Sequence, residues 1–331
     1  MSEIARVRIA IDAAGTDGGP DVIAAAVDRM LTAHSDLSFV ILAESDDSAR
    51  LAERFSSERV EIVACEHALA ADMNAAGAIR RGQGSTMWQA LALVHEGAAD
   101  AVVSGGSTGA LMALSRHLLG TLSGVERPAL MAAIPTLERS VWMLDLGANI
   151  QVDARRLLEF AQLGHVASRL LEGHAPRIGL LNVGTEPGKG PDVVREAARL
   201  IDEDERLNYA GFVEADQVFA GAVDLVVCDG FAGNVLLKSA EGTIKLLFAK
   251  LQSSFRGSLC GVLARPRLKR LHDSLDPARH NGAPMLGVRG TVIKSHGGTC
   301  SRGFARALEL AALQARRDLV NCLEQQLLAG Y

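Results

Sequence analysis

The sequence predicts an α/β fold in which helices cover a mostly parallel sheet, and three observations point to this class. Apolar residues make up 48% of the 331 residues and aromatic residues only 4%, so aliphatic side chains must fill the core, as in helix-covered parallel sheets. Short apolar runs alternate with longer segments of helical periodicity. Glycine contributes 33 residues without a Gly-X-Y period, so the excess is expected in turns and ligand-binding loops.

In the first half of the chain, predicted strands and helices alternate as in βαβ units. Strands are predicted in VRIAID, SFVILA and VEIVA, and a helix over residues 20–33 separates the first two. A helix over 85–96 precedes the strand DAVVSGG. A helix over 108–119 then precedes a pair of strands in ALMAAIP and SVWMLDLGAN.

The second half continues the alternation. Helices over 153–171 and 191–202 flank the strand RIGLLNVG, and the strand DLVVCDG leads into one long helix over 234–253. A closing helix is predicted over 305–328. Because the chain has no internal repeat and no low-complexity linker, we expect a single unit over residues 1–331.

A basic, amphipathic helical excursion is expected at about residues 254–282. Its basic residues are Arg256, Arg265, Arg267, Lys269, Arg270 and Arg279, its acids are Asp273 and Asp276, and six minus two gives a local charge of +4. Its interleaved apolar residues are Leu259, Val262, Leu263, Leu268, Leu271 and Leu275. A projecting helical hairpin of this composition could bind anionic lipid or an acidic protein; equally, it could be a solvated excursion that packs against a second subunit.

Charge and composition exclude several classes of protein. The 34 basic and 39 acidic residues give a net charge of −5, which argues against nucleic-acid binding. No stretch approaches the ~20 apolar residues of a membrane span, and MSEIARVRIAIDAAG lacks a signal-peptide pattern, so a cytoplasmic location is expected. The five cysteines form no CxxC pair, which favours neither a zinc site nor a disulfide framework.

Four glycine-rich loops follow predicted strands: DAAGTDGGP, SGGSTGALM, NVGTEPGKG and DGFAGN. In parallel sheets ligands bind at the carboxyl ends of the strands, where helix N-termini and glycine backbone can approach an anion. The loop over 105–109 is expected to hold phosphate, although Ser107 or Thr108 could simply cap a helix there. In the first loop, Asp12 could orient a substrate or a lysine, or could instead cap the turn of that loop. The predicted substrate-binding residues are Asp12, Gly15, Ser104, Gly105, Gly106, Ser107, Thr108, Gly109 and Gly233.

The candidate catalytic residues are Asn182, Lys189, Asp229, Asn234, Lys238 and His296. Lys189 could neutralise phosphate, and Asn234 and Lys238, four residues apart, share a helix face. The segment KSHGGTCS also offers Lys294 and Ser295, although a lone histidine is more often structural. We expect the candidates other than Asp229 to line one cleft at the sheet's carboxyl edge, with Asp12 and Asp229 orienting the lysines or the attacking oxygen.

The chemistry suggested by these residues uses an anion as the nucleophile. GxSxG is absent, so an acyl-enzyme is not required. Amides and lysines suit an anionic nucleophile, and further donors suit the charge that develops on a carbonyl oxygen. Inorganic phosphate attacking a thioester fits this description, as does other phosphate chemistry.

Along nearly its whole length the sequence resembles the PlsX-type phosphate acyltransferases of bacterial phospholipid synthesis. The resemblance is carried by IDAAGTDGGP, VVSGGSTGALMA, RPALMAAIPT, LDLGAN, LEFAQLG, RIGLLNVGTEPGKG, VVCDGFAGNVLLKSAEG, GAPMLGVRG and IKSHGG. It implies a fold similar to isocitrate and isopropylmalate dehydrogenases and phosphotransacetylases, a homodimer, and no metal or cofactor. It also implies that phosphate and long-chain acyl-acyl-carrier protein are the substrates. The acyl phosphate product would pass to a membrane glycerol-3-phosphate acyltransferase, with residues 254–282 as a membrane or carrier-docking surface.

Some positions depart from the family pattern. Ala14 and Thr16 replace a methionine and a glycine, Ser107 stands where asparagine is common, and Thr185 where glutamate is frequent. These changes bear on rate and acyl-chain preference more than on the reaction class. Two alternatives stay open: a short-chain phosphotransacetylase using coenzyme A, and a catalytically weakened, membrane-associated scaffold of lipid synthesis. A dehydrogenase is disfavoured because the first loop lacks GxGxxG.

Overall fold

The structure is a computed structural model that describes residues 6–137, 139–255 and 259–328, except the side chains of 259–264 and 277. One sheet contains β1 (Val7–Asp12), β2 (Leu37–Glu44), β3 (Val60–Cys65), β4 (Ala101–Ser104), β5 (Ala129–Ile134), β6 (Val141–Leu144), β7 (Arg177–Leu181), β8 (Asn208–Val213), β9 (Leu225–Val227), β10 (Ala283–Leu286) and β11 (Thr291–Lys294). The helices are α1 (Gly19–Ala33), α2 (Ser45–Arg54), α3 (Ala75–Arg81), α4 (Thr86–His95), α5 (Thr108–Leu118), α6 (Ala154–Glu172), α7 (Asp192–Asp202), α8 (Ala215–Ala220), α9 (Gly230–Phe255), α10 (Leu259–Leu275), α11 (Ser301–Arg316) and α12 (Leu319–Leu328), with a 3₁₀ turn over Pro277–His280.

The strand order is β3-β2-β1-β4-β11-β10-β5-β6-β9-β7-β8, and strand direction reverses between the two halves. Strands β3, β2, β1, β4 and β11 are mutually parallel, as are β6, β9, β7 and β8. The antiparallel pairs β11–β10, β10–β5 and β5–β6 join these blocks and set them in opposite directions. The predicted mostly parallel sheet is confirmed. The expectation that all four glycine-rich loops share one carboxyl edge is wrong, because β1 and β4 end at one edge and β7 and β9 at the other.

The two faces of the sheet are packed differently. On one face a single core runs through both halves, under α4 and α5 on one side and α8 and the start of α9 on the other. On the opposite face α1 and α11 bury one core over the first half, and α6, α7 and α12 bury another over the second. Alternation along β5 shows the division, since Leu130 and Ile134 join the continuous core whereas Ala129 and Met131 face α6.

Most predicted elements are confirmed to within a few residues, but the closing helix is not continuous. It breaks at Asp318, which adopts φ 50°, and becomes α11 and α12. Leu319, Leu323 and Leu327 then present one apolar stripe to the core beside α6. The two helices therefore bury different cores, α11 over the first half of the sheet and α12 over the second. The elements α2, α3, α8, β8, β10 and β11 were not predicted.

The predicted helical hairpin is present. Helix α9 extends beyond the sheet and contacts α10, which carries Pro266 in its interior. Phe248 of α9 packs edge-on against His272 of α10, with ring centroids 4.9 Å apart. Arg256 lies outside the described residues, as do the side chains of Leu259, Val262 and Leu263. Within the described chain, none of the helices combines the length and apolarity needed to cross a membrane.

Candidate active site

A cavity of about 1400 Å³ lies on the face that carries the continuous core. Residues of α5 and α8 line its sides, β5 supplies its floor, and α9 passes over it as a roof. Helix α9 begins at the carboxyl end of β9, where Gly230 donates to the Asn149 carbonyl at 2.8 Å. It reaches the opposite edge at Lys238, whose charge influences the pKa of Lys294 and of His296 beside β11. The cavity therefore runs from one edge of the sheet to the other.

At the first end, the ends of β1 and β4 place a carboxylate and a hydroxyl together. Asp12 and Ser104 are direct neighbours in the strand register, and the Ser104 hydroxyl donates to Asp12 Oδ2 at 2.6 Å. Ser104 Oγ also accepts from the Gly106 amide at 3.1 Å. Burial raises the pKa of Asp12, and the bond from Ser104 and the charge of Lys294 partly offset this. Asp12 and Ser104 lie behind the cavity wall, where they fix the loop after β4.

Lys294 brings a buried cation to this end. It ends β11 beside Ser104, and its ammonium donates to the Gly105 carbonyl at 3.1 Å and to the Ser295 carbonyl. Burial lowers the pKa of Lys294 to about 8, the charge of Asp12 opposes that shift, and the charge of Lys238 adds to it. The ammonium is thus held in the cavity wall by backbone carbonyls and lies near a second lysine.

Asn281 fixes His296 next to Lys294. Its amide donates to Ser295 Oγ and to the Gly303 carbonyl, both at 2.8 Å, and its oxygen accepts from the His296 amide at 2.9 Å. His296 Nδ1 accepts from the Gly298 amide at 3.0 Å, which assigns the ring proton to Nε2. Burial, followed by the charge of Lys238, lowers the pKa of His296. The imidazole is therefore a neutral N–H donor at neutral pH.

Lys238 and Asn234 line the cavity from above. The Lys238 side chain is 53% exposed and its ammonium lies 3.1 Å from Glu241 Oε2. Asn234 lies beside Gly147, in the turn after β6. Asn234 and Lys238 therefore line the same cavity, as their spacing on one helix face predicts.

The second end of the cavity receives Asn182 and Asp229. Asn182 donates to the Lys189 carbonyl at 3.1 Å, and Asp229 Oδ1 accepts from the Ala232 amide at 2.7 Å, which caps α9. Both line the cavity, but they lie where β7 and β9 end, at the edge opposite Lys294. Lys189 is exposed and does not line the cavity. The predicted cluster is therefore divided between two ends.

Several predicted binding glycines serve close packing. A Cβ on Gly15 would lie 2.4 Å from the Gly106 Cα, and one on Gly233 would lie 2.0 Å from the Asp145 carbonyl oxygen. Gly105 approaches Thr16 in the same way, so the first two loops interlock. Only backbone without a side chain permits these approaches.

The first turn of α5 is the part of the 105–109 loop that faces the cavity. Ser107 caps the helix, with its hydroxyl 3.5 Å from the Ala110 amide, and Thr108 lines the cavity. Nothing lies within 4 Å of the position of a Gly109 Cβ. Amides in a first helical turn have no intrahelical acceptor, so this turn can donate to an anion.

The sequence analysis named Lys294 only as a neighbour of His296 in KSHGGTCS, and it named neither Asn281 nor Asp145 for the site. Asp145 follows a cis peptide bond and accepts from the amides of Leu130, Leu146 and Asn149 at 2.6–2.9 Å. Burial raises its pKa to about 6. The usable signal for Lys294 was its position at the end of the apolar run TVIK. Asn281 carries no local signal, because its three partners are distant in sequence.

The chain is similar to one protein family over nearly its whole length. The model of the fatty acid synthesis protein family matches residues 7–321. The phosphate acyltransferase of Pseudomonas aeruginosa (strain UCBPP-PA14) is 42% identical over 326 residues, covering 96% of this chain and 97% of that protein. Those of Alcanivorax borkumensis and Pseudomonas syringae pv. syringae are 42% and 44% identical, each covering at least 96% of both chains.

Solved structures share the fold at low sequence identity. A phosphotransacetylase from Streptococcus pyogenes has a TM-score of 0.64 and 20% identity, with 94% of each chain covered. EutD phosphotransacetylase from Staphylococcus aureus has a TM-score of 0.59, 19% identity and the same coverage. A 4-hydroxythreonine-4-phosphate dehydrogenase from Klebsiella pneumoniae has a TM-score of 0.51 and 17% identity, over 95% of this chain and 99% of that one. The predicted relation to the phosphotransacetylase fold is confirmed.

Proposed function

The chain belongs to the fatty acid synthesis protein family, and from that premise we propose that it is a phosphate acyltransferase that makes acyl phosphate from inorganic phosphate and long-chain acyl-acyl-carrier protein. The observation that carries this function is the convergence of Lys238, Lys294 and His296 at one end of a large, mainly apolar cavity. Cations and an N–H donor suit phosphate and a developing oxyanion, whereas the apolar walls suit an acyl chain.

The reaction joins a phosphate oxygen to the thioester carbonyl carbon. The C–O bond forms, the C–S bond breaks, and the carrier's thiolate leaves and takes up a proton. In our proposal, Lys294, Lys238 and the first turn of α5 hold the phosphate, which pays part of the entropic cost of bringing two substrates together. The neutral His296 donates its Nε2 proton as a hydrogen bond to the carbonyl oxygen as negative charge develops there.

Asp12 acts through other groups. It is buried behind the wall, accepts a hydrogen bond from Ser104, and its charge opposes the lowering of the Lys294 pKa by burial. Asn281 positions Ser295 and His296 in the same way. Asn182, Asp229 and Asn234 belong to the proposed site through the far part of the cavity and the start of α9. Lys189 could act only on a group outside it.

The test uses purified protein, palmitoyl-acyl-carrier protein and phosphate. Phosphate-dependent release of the free carrier thiol, together with an acyl phosphate signal in phosphorus NMR, is the expected result. Absence of turnover with every acyl length would refute the enzyme and favour a scaffold. Preference for acyl-coenzyme A over acyl-carrier protein would favour a short-chain phosphotransacetylase.

The cellular setting is a further part of the proposal. A cytoplasmic homodimer that delivers acyl phosphate to a membrane glycerol-3-phosphate acyltransferase would gain from a surface that docks near lipid. The exposed basic side chains of α10 support such a role, and Leu271 is 44% exposed among them. Flotation of the protein with anionic and neutral liposomes measures this association, and absence of binding to anionic vesicles would contradict it.

A further inference from the structure

The far half of the cavity has an unusual surface. Ile150, Val183, Val193 and Val235 are large apolar side chains that are exposed and that also line this cavity. Single exposed apolar residues are ordinary, but several around one concave surface mark a place where an apolar partner is received.

The floor and roof between the two ends are also apolar. Leu130, Ala132 and Ile134 project from one face of β5, and Ala232 and Leu236 project from α9 above them. The small side chains of Ala132 and Ala232 leave space between sheet and helix. A continuous apolar passage therefore leads away from the polar end at Lys294.

The length of the passage follows from α9. Asn149 contacts Gly230, the first residue of α9, so Ile150 lies beside the start of the helix. Lys238 is eight residues further along, which corresponds to roughly 12 Å at 1.5 Å per residue. A short acyl chain whose thioester lies near Lys238 would end in the passage, whereas a long one would reach Ile150.

We propose that this passage is the acyl-chain subsite, that the chain runs beneath α9 from Lys238 toward Ile150 and Val183, and that these two side chains determine the preference for long chains. This inference rests on the proposed function. At the far end Asp229 Oδ1 accepts from the Ala232 amide and the Asn182 amide nitrogen donates to the Lys189 carbonyl, while Asn182 Oδ1 is buried without a hydrogen-bond partner. The exposed side chains that an acyl chain would meet there are the apolar ones. Each buried methylene changes affinity by roughly fourfold, so contacts at the far end are sufficient to select chain length.

The experiment compares Ile150→Asp and Val183→Asp with Ile79→Asp. Ile150 and Val183 are 64% and 76% exposed, so a carboxylate is tolerated by the fold, and Ile79 is 41% exposed on α3 outside the cavity. The ratio of kcat/KM for palmitoyl- to octanoyl-acyl-carrier protein should fall roughly tenfold or more in the two test variants. It should stay within about twofold of wild type in the control.

Two further measurements separate the possible failures. Calorimetric binding of palmitic acid, weakened in Ile150→Asp and unchanged in Ile79→Asp, supports the subsite even if no acyl length is turned over, in which case only the proposed function fails. An unchanged palmitoyl-to-octanoyl ratio in both test variants, with turnover intact, overturns the subsite. A lower oligomeric mass of Ile150→Asp with that unchanged ratio would also overturn it and identify the surface as a contact between copies of the chain.

Discussion

Lys294 predicts a pH limit on the reaction. Burial lowers its pKa from 10.5 to about 8, which corresponds to a cost of about 3 kcal/mol for keeping the ammonium charged in the fold. If the charged form holds phosphate, kcat/KM falls as the pH rises through about 8. Lys294→Met should lower kcat/KM about a hundredfold to a thousandfold at pH 7, the loss expected for a group that stabilises charge in the transition state.

Two substitutions test whether Lys294 causes the fall in kcat/KM at high pH, the descending limb of the pH profile. Lys294→Arg keeps a cation that does not titrate, so the limb near pH 8 should disappear even if the rate is lower. Lys238→Ala removes a nearby positive charge that lowers the pKa of Lys294, so the limb should move to higher pH while the maximal rate falls strongly. The assay is initial-rate release of the carrier thiol between pH 6 and about 10, the range that brackets the shifted lysine.

The pH dependence of the free energy of unfolding tests the lowered pKa of Lys294 independently of activity. The folded-state pKa lies below the unfolded value of 10.5, so the unfolded chain binds more protons between these pH values and wild-type stability gains as the pH rises from about 8 to 10.5. Lys294→Met should lose this part of the slope in urea unfolding. A limb that persists near pH 8 in Lys294→Arg would refute the assignment, as would a Lys294→Met variant with wild-type kcat/KM.

The remaining predictions concern the packing that supports the site. Asn281→Ala leaves buried partners unpaired and should lower the free energy of unfolding by about 3 kcal/mol in urea titrations. Gly233→Ala places a Cβ 2.0 Å from the Asp145 carbonyl oxygen and should cost about 1–3 kcal/mol, whereas Gly242→Ala in open space on the same helix should gain up to about 1 kcal/mol. Asp318 has φ 50°, so Asp318→Ala should be about 1 kcal/mol less stable than Asp318→Gly and should unfold at a lower temperature. Equal stabilities of the two Asp318 variants, or of Gly233→Ala and Gly242→Ala, would contradict these assignments.

Local pattern was sufficient for the elements whose periodicity is long. Helix α6 and helix α9 carry enough turns for their apolar faces to be recognised, and the strand VRIAID is a clear apolar run. Strands β10 and β11 have four residues each, too few to establish alternation against the surrounding glycines. Residues of these two strands appear in the sequence analysis only within GAPMLGVRG and IKSHGG, and no strand was predicted there.

Strand direction explains the larger error about the site. Whether β7 and β9 point the same way as β1 and β4 depends on which strands pair in the middle of the sheet, and no local pattern records that pairing. The residues of DGFAGN were correctly expected to lead into a helix, and that helix lines the cavity. That helix meets the polar loops only at Lys238, two turns beyond the loop itself.

Helix α9 is held at its start and projects a long way from that point. It is a single helix of 26 residues, roughly 39 Å long, with its start seated on the Asp145 turn and its outer end in the hairpin. Lys238 lies about a third of the way along, close to the seat. For a rigid tilt of α9 about its seated start, Lys238 would move about a third as far as the outer end of the helix.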